Sequence, residues 1–208
     1  MPATPSMKGS LISELATDVR KLITDGKVSQ AEVERRLTPE DLAILDSGIM
    51  VSGWYDVQFY ARCSRLVRDI LGRGSNEYLF RRGADRGKAL IDAGLYQQMD
   101  YANRAKVQLQ QGVSSEERFK NFGRDLKLLV TLSRSLLNFT QWSTIVDPAH
   151  NDRYLIVVEG AEGYPDELAW ATEGLIDSIS AIHGMGNRMW RHRRVGKDRI
   201  EFQMTRAI

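Results

Sequence analysis

The apolar residues of this chain change their period near residue 136, and that change sets the class of fold. Before it, hydrophobic side chains recur at helical spacing between clear stop signals. After it come short β-branched and aromatic runs around one further helical stretch, in the order β-β-α-β-β. Helices followed by hairpins predict an α+β fold, a helical layer packed on a small twisted antiparallel sheet. The 208 residues suffice for one well-buried core. A single domain is therefore expected over residues 8–208, with helices over about 8–135 and ββαββ over about 136–206; residues 1–7 are expected to be disordered.

In the first helical stretch Leu11, Ile12, Leu15, Val19, Leu22 and Ile23 share a face, and Gly26 closes it. Ser29 with Glu32 has the pattern of a capping box, and Thr38 caps a helix with Pro39 at its first position. GWYDVQFYARCSRLVRDILG predicts one helix with Tyr55, Phe59, Cys63, Leu66, Ile70 and Leu71 on a stripe ended by Gly72. SNEYLFRRGADRGKALIDAG predicts another, capped by Ser75 and ended by Gly94. Gly83 and Gly87 each weaken it by roughly 1 kcal/mol relative to alanine, and their spacing points to close helix–helix approach. YQQMDYANRAKVQLQQG reads as less ordered. A capping box at Ser114 and Glu117 then opens a helix with Phe119, Phe122, Leu126, Leu129 and Val130 inward.

LLNFTQWSTIV and DRYLIVVEG, joined by the turn residues DPAHN, predict an antiparallel hairpin. PDELAWATEGLIDSISAIHG predicts a helix through Leu168, Ala171, Leu175, Ile179 and Ile182, from Pro165 to Gly184. A second hairpin follows, in which Ile200, Phe202 and Met204 alternate with Arg199, Glu201 and Gln203.

That hairpin contains the most basic stretch, MWRHRR, with Arg188 just before it and Arg191, Arg193 and Arg194 within it. Residues 187–208 hold seven Lys or Arg against two Asp or Glu, although the whole chain carries only +2. On a strand, Met189, Arg191, Arg193 and Val195 share one face, and Trp190, His192 and Arg194 share the other. The charge is thus split, with Glu201 available across the hairpin and arginines protecting an edge. A nucleic-acid surface here would rest on Arg188, Arg191, Arg193 and Arg194 with Trp190 to stack; no helix-turn-helix, zinc-finger or RNP pattern supports it.

Candidate chemistry is sparse. GADRGKAL has three residues between its glycines where a phosphate loop needs four, and Ala89 replaces the metal-binding hydroxyl. There is no G-x-S-x-G elbow and no H-E-x-x-H. His150, His183 and His192 fall in a turn, at a helix end and on a strand, and His183 suits the helix dipole. Asp166 and Glu167 suit the N-terminus of the last helix, with Glu159 and Glu162 close by. Cys63, the single cysteine, rules out an internal disulfide and a multi-cysteine zinc site, and its place on an apolar stripe makes it a small hydrophobe. No catalytic residue, cofactor or metal site is expected. With no apolar leader and no run long enough to span a bilayer, the expected location is cytoplasmic.

KGS (Lys8 to Ser10), the block GWYDVQFYARCSRLVRDILGRGSNEYLFRRGADRG and the ββαββ ending resemble a group of uncharacterised proteins abundant in myxobacteria. These are similar to the 4-vinyl-reductase-type domains. Their superfamily includes the heme nitric-oxide-binding domains and the Bet-type subunits of the TRAPP tethering complexes. The resemblance implies helices on a small antiparallel sheet, commonly dimeric, acting in ligand sensing or protein interaction. Ile200 in GKDRIEF stands where many vinyl-reductase-type domains have cysteine, and the Tyr-x-Ser-x-Arg pattern of the heme-binding branch is missing. In the tethering subunits a helix cysteine faces an apolar channel for an acyl chain, which Cys63 resembles in being helical and apolar-facing.

Three functions are expected in this order. The first is a non-enzymatic regulatory or scaffolding module, homodimeric or bound to a protein partner. The second is a sensor holding a small apolar ligand between helices and sheet, with Trp54, Tyr55, Phe59, Cys63, Trp142 and Trp170 as candidate contacts. The third is nucleic-acid binding through the basic hairpin.

Overall fold

The computed structural model describes residues 4–92, 114–186 and 188–207. Within them a two-stranded ribbon and seven α-helices accompany a four-stranded antiparallel sheet, giving the α+β fold. The chain opens with strand β1 (Ser6–Lys8) and helix α1 (Gly9–Thr24), then short helices α2 (Gln30–Arg36) and α3 (Pro39–Ser47). Strand β2 (Trp54–Asp56) pairs back on β1 and leads into α4 (Val57–Leu71) and α5 (Asn76–Asp92). Helix α6 (Ser115–Leu136) precedes β3 (Gln141–Asp147) and β4 (His150–Glu159). Helix α7 (Asp166–Ile182) leads to β5 (Trp190–Arg194) and β6 (Arg199–Met204). The sheet order is β3-β4-β6-β5, so both hairpins join through β4 and β6, and β5 is an edge.

Several boundaries differ from expectation. Met7 is fully buried and Ser6–Lys8 pair with Trp54–Asp56, so order begins before residue 8. The expected helix through Tyr55 starts only at Val57, because Asp56 accepts the Gln58 N–H and caps it. Leu71, placed on the apolar stripe, is exposed. The first strand of the hairpin starts at Gln141, since residues up to Leu136 continue α6. At α2 only half of the capping box forms: Ser29 Oγ accepts from the Glu32 N–H, while the Glu32 carboxylate is held by Arg35 and Arg36. The complete box lies at α3, between Thr38 and Asp41. Gly94 and the stretch YQQMDYANRAKVQLQQG lie outside the described residues, as does the side chain of Ile182.

The glycine pair of α5 does what its spacing predicts. A Cβ on Gly83 would stand 1.8 Å from the Ala171 carbonyl oxygen of α7. The contact is reciprocal, because a Cβ on Gly174 of α7 would stand 1.9 Å from the Phe80 carbonyl oxygen. The two helices meet backbone to backbone, which only glycine at these points permits.

Candidate functional site

Beside that contact the helices separate and leave a cavity of about 130 Å³. Leu11 and Leu15 reach it from α1, and Leu90 from α5. Leu129, Leu132 and Leu136 line it from α6, and Leu168, Ala171 and Leu175 from α7. Trp142 on β3 and Tyr164 before α7 form the end nearest the sheet. Leucines from four helices cannot interlock as a glycine seam does, and a void is left where their tips meet.

Few polar groups break the apolar wall. The Tyr164 and Thr172 hydroxyls are both buried and share one hydrogen bond of 2.7 Å. Each hydroxyl owns one proton, so the pair has a second O–H beyond the one that bridges it. Ser133 turns its hydroxyl to the Val130 carbonyl of its own helix, and Tyr60 is buried with Ser64 beside its hydroxyl. Burial pushes both tyrosine hydroxyls above the usual phenol range, so both stay protonated.

Charge is gathered at the mouth. Glu14, Arg82 and Arg86 line the cavity together with the half-exposed Leu132. Arg86 donates to Glu14 at 2.9 Å and to the Ser10 carbonyl at 3.0 Å. Arg82 pairs with Asp18 and lies 3.9 Å from Glu14. Burial disfavours the Arg82 charge, but Asp18 and Glu14 outweigh it and hold the guanidinium more firmly protonated than usual.

Of the six expected ligand contacts, only Trp142 lines this cavity. Trp54 is exposed under Lys8, whose ammonium sits 4.2 Å from the ring centre. Tyr55 accepts the Met50 N–H at 2.8 Å through its hydroxyl. Phe59 and Cys63 are wholly buried in the core, and burial raises the thiol well above its ordinary range. Trp170 packs edge-on against His192, with ring centres 4.8 Å apart. Helical spacing places these aromatics inward but does not say which core they enter.

The basic stretch separates by face as expected, and most of its charge is matched. Arg193 meets Glu201 directly across the hairpin at 3.2 Å. Arg194 donates to the Tyr164 and Ala161 carbonyls and pairs with Asp166. Arg188 pairs with Glu77 and lies 3.6 Å above the Phe80 ring. Arg191 is exposed on the outer face. Trp190, the candidate stacking residue, is wholly buried and donates to Ser180 at 2.7 Å, so it presents no face to a base.

The histidines are engaged elsewhere. His183 bonds Asp125 of α6 at 2.6 Å, a partner that its helix-end position did not reveal. His192 bonds Glu173 of α7 at 2.5 Å, and His150 lies at the start of β4. Among the described residues no cluster of metal-ligating side chains forms.

No protein-family model and no curated protein matches the chain. Solved structures do match it in fold. One, described as "Modulating Heme Redox Potential Through Protein-Induced Porphyrin Distortion", superposes with a TM-score of 0.51 at 15% identity, covering 95% of this chain and 99% of that one. Another, a Cs H-NOX mutant carrying the unnatural amino acid 4-cyano-L-phenylalanine, has a TM-score of 0.53 at 13% identity, covering 97% and 98%. The chain therefore has the fold of the H-NOX, or heme nitric-oxide-binding, domains over nearly its whole length. No helix among the described residues is long and apolar enough to cross a membrane.

Proposed function

We propose that the protein is a sensor of a small apolar molecule held in the cavity between α1, α5, α6 and α7. The cavity itself carries this reading. The side chains lining a space of about 130 Å³ lack packing partners on that side, so the contacts they would make there are missing. A ligand that fills it recovers contacts the empty fold lacks, and so favours the conformation in which the four helices close around it. The size matches a benzene-sized body, since an apolar cavity of about 150 Å³ holds benzene. The likeness to H-NOX chains supports a sensing role at the level of fold.

Heme, which the neighbouring structure's description names, does not fit here. The cavity is far below the ~300 Å³ at which pockets for drug-sized ligands begin. Among the described residues lining it there is no histidine or cysteine, and burial keeps Tyr60 and Tyr164 protonated. The scaffolding role, the homodimer and the vinyl-reductase kinship expected from the sequence have no comparable site behind them and are not carried further.

Thermal unfolding with toluene and phenol tests the reading, alongside Ser133→Leu. Ser133 is buried on the cavity wall and its hydroxyl bonds only within its own helix, so leucine adds volume where volume is missing. The wild type should gain several degrees in Tm at saturating probe. Ser133→Leu should gain about 1 kcal/mol, or ~2–4 °C, without probe and lose the response to it. A wild type indifferent to both probes, with a destabilised Ser133→Leu, overturns the proposal.

A further inference from the structure

Resting on the cavity reading, we infer that the molecule it takes carries a carboxylate: a benzene-sized monocarboxylic acid, ring inward, with its acid group on Arg82 and Arg86 in the place of Glu14. The mouth of an otherwise apolar cavity holds two guanidiniums one helical turn apart on α5, facing two carboxylates on α1. The four groups are not held alike. Arg82 is anchored by Asp18, and Arg86 by the Ser10 carbonyl, which cannot move without α1. Glu14 is the loose member: its side chain is 54% exposed, and its nearest approach to Arg82 is 3.9 Å. Its one close bond to the pair is from Arg86, at 2.9 Å.

The sign of the ligand's charge follows from that asymmetry. A carboxylate arriving from inside the cavity needs only to displace Glu14 into solvent, where it is already half-exposed, and the local charge then stays balanced. Each guanidinium presents five N–H donors in a planar fork suited to a carboxylate, and the contacts to Ser10, Glu14 and Asp18 leave donors over. An amine would instead enter between two fixed guanidiniums and meet like charge. A neutral ring would leave the fork unused. Arg86 is 34% exposed, so the acid end stays near water while the ring occupies the leucine-lined interior.

Displacement of Glu14 also supplies a consequence of binding. The Glu14–Arg86 bridge joins α1 to α5 beside the Ser10 and Asp18 anchors, and replacing its carboxylate with one from the ligand frees the Glu14 side chain. Occupancy of the interior is thereby reported at the surface between these helices.

The experiment measures dissociation constants for benzoate, phenol and toluene at pH 7.5, by calorimetry and by tryptophan fluorescence, since Trp142 lines the cavity. The proteins are the wild type, Arg86→Met and Glu14→Gln. Benzoate should bind the wild type at least tenfold more tightly than toluene. Arg86→Met should bring benzoate to the level of toluene while changing toluene less than twofold. Glu14→Gln, at a half-exposed position that keeps the fold, should tighten benzoate several-fold by weakening its competitor. Toluene or phenol binding as tightly as benzoate, or Glu14→Gln leaving benzoate unchanged, overturns the acid ligand and leaves the cavity reading standing. No binding by any of the three overturns the cavity reading as well.

Discussion

Helix α7 has two sides that solve the packing problem in opposite ways. Toward the sheet, Glu173, Asp177 and Ser180 form a polar stripe, and every one of them accepts from β5 or the turn before it. Toward the helices, Leu168, Ala171, Thr172 and Leu175 face the cavity, and Gly174 touches α5 backbone to backbone. One side is fixed by directional bonds to buried acceptors. The other combines a glycine seam with an empty space. Directional bonds have one good geometry, whereas a leucine-lined void can change shape at little cost. The glycine seam fixes α5 to α7 as the directional bonds fix β5, so the cavity's movable walls under the proposed binding are α1 and α6.

The largest effect should come from the seam. Gly83→Ala places a methyl group 1.8 Å from the Ala171 carbonyl oxygen, and neither backbone can yield without separating the helices. A loss of about 3 kcal/mol or more is expected in urea unfolding, at the upper end of overpacking. Gly87→Ala is the control within the same helix. Its methyl meets the Ser178 hydroxyl at 2.1 Å, a side chain that can rotate, and alanine's higher helix propensity returns roughly 1 kcal/mol. Equal losses for the two variants would show that the seam is not a backbone contact.

A somewhat smaller effect tests the opposite side. Asp177 is buried and accepts the N–H of Met189 at 2.7 Å and of Arg188 at 2.9 Å. Arg188 has φ of 65°, a left-handed conformation unusual for a non-glycine residue, and the carboxylate fixes it as the chain turns into β5. Asp177→Ala should cost about 2 kcal/mol, the penalty for leaving a buried donor unmet, and ~4–8 °C in Tm. Asp177→Asn retains one acceptor and should fall between. If toluene binding to Asp177→Ala, measured below its Tm, stays within twofold of wild type, the two sides of α7 are independent as argued; a larger change joins them.

How much of this was legible in the residues differs between the two sides in the same way. Periodicity revealed the helix–sheet order, the face carrying Trp190 and the availability of Glu201 to an arginine across the hairpin, which the structure gives as Arg193. The spacing of Gly83 and Gly87 announced the seam. The second role of Asp41, accepting from Arg62, was invisible, since that partner lies in another helix. The cavity was missed for a related reason. Leu129 was placed inward and Leu136 lies two turns on from it, but Leu132 falls away from the expected stripe of α6, and emptiness depends on how four helices diverge rather than on any one pattern. Aromatic residues drew the expected site toward Trp54 and Phe59, while the leucines that form it look like ordinary core. A second apolar stripe on α6, beside the one facing the sheet, was the signal available.

The smallest effect concerns the fixed side and its dependence on pH. Glu201 of β6 is buried between Arg199, which donates to it at 2.8 Å and 3.0 Å, and Arg193 of β5 at 3.2 Å, with Gln203 at 3.0 Å. Burial pushes its carboxyl upward, but the bonds from Arg199, Arg193 and Gln203 prevail and hold it below its ordinary value of 4.5. A folded-state value lower than the unfolded one means that ionised Glu201 stabilises the fold above about pH 4.5, and that this contribution disappears as pH falls through the folded value. Because Arg193 and Arg199 are themselves substantially exposed, the contribution should be below about 1 kcal/mol. Urea midpoints of wild type and Glu201→Gln at pH 6 should therefore differ slightly in favour of the wild type, and the difference should narrow as pH falls below 4.5. Parallel pH profiles for the two proteins would mean that the charge pairs of β5 and β6 contribute nothing measurable, leaving the sheet side of α7 to the carboxylates and hydroxyl of Glu173, Asp177 and Ser180 alone.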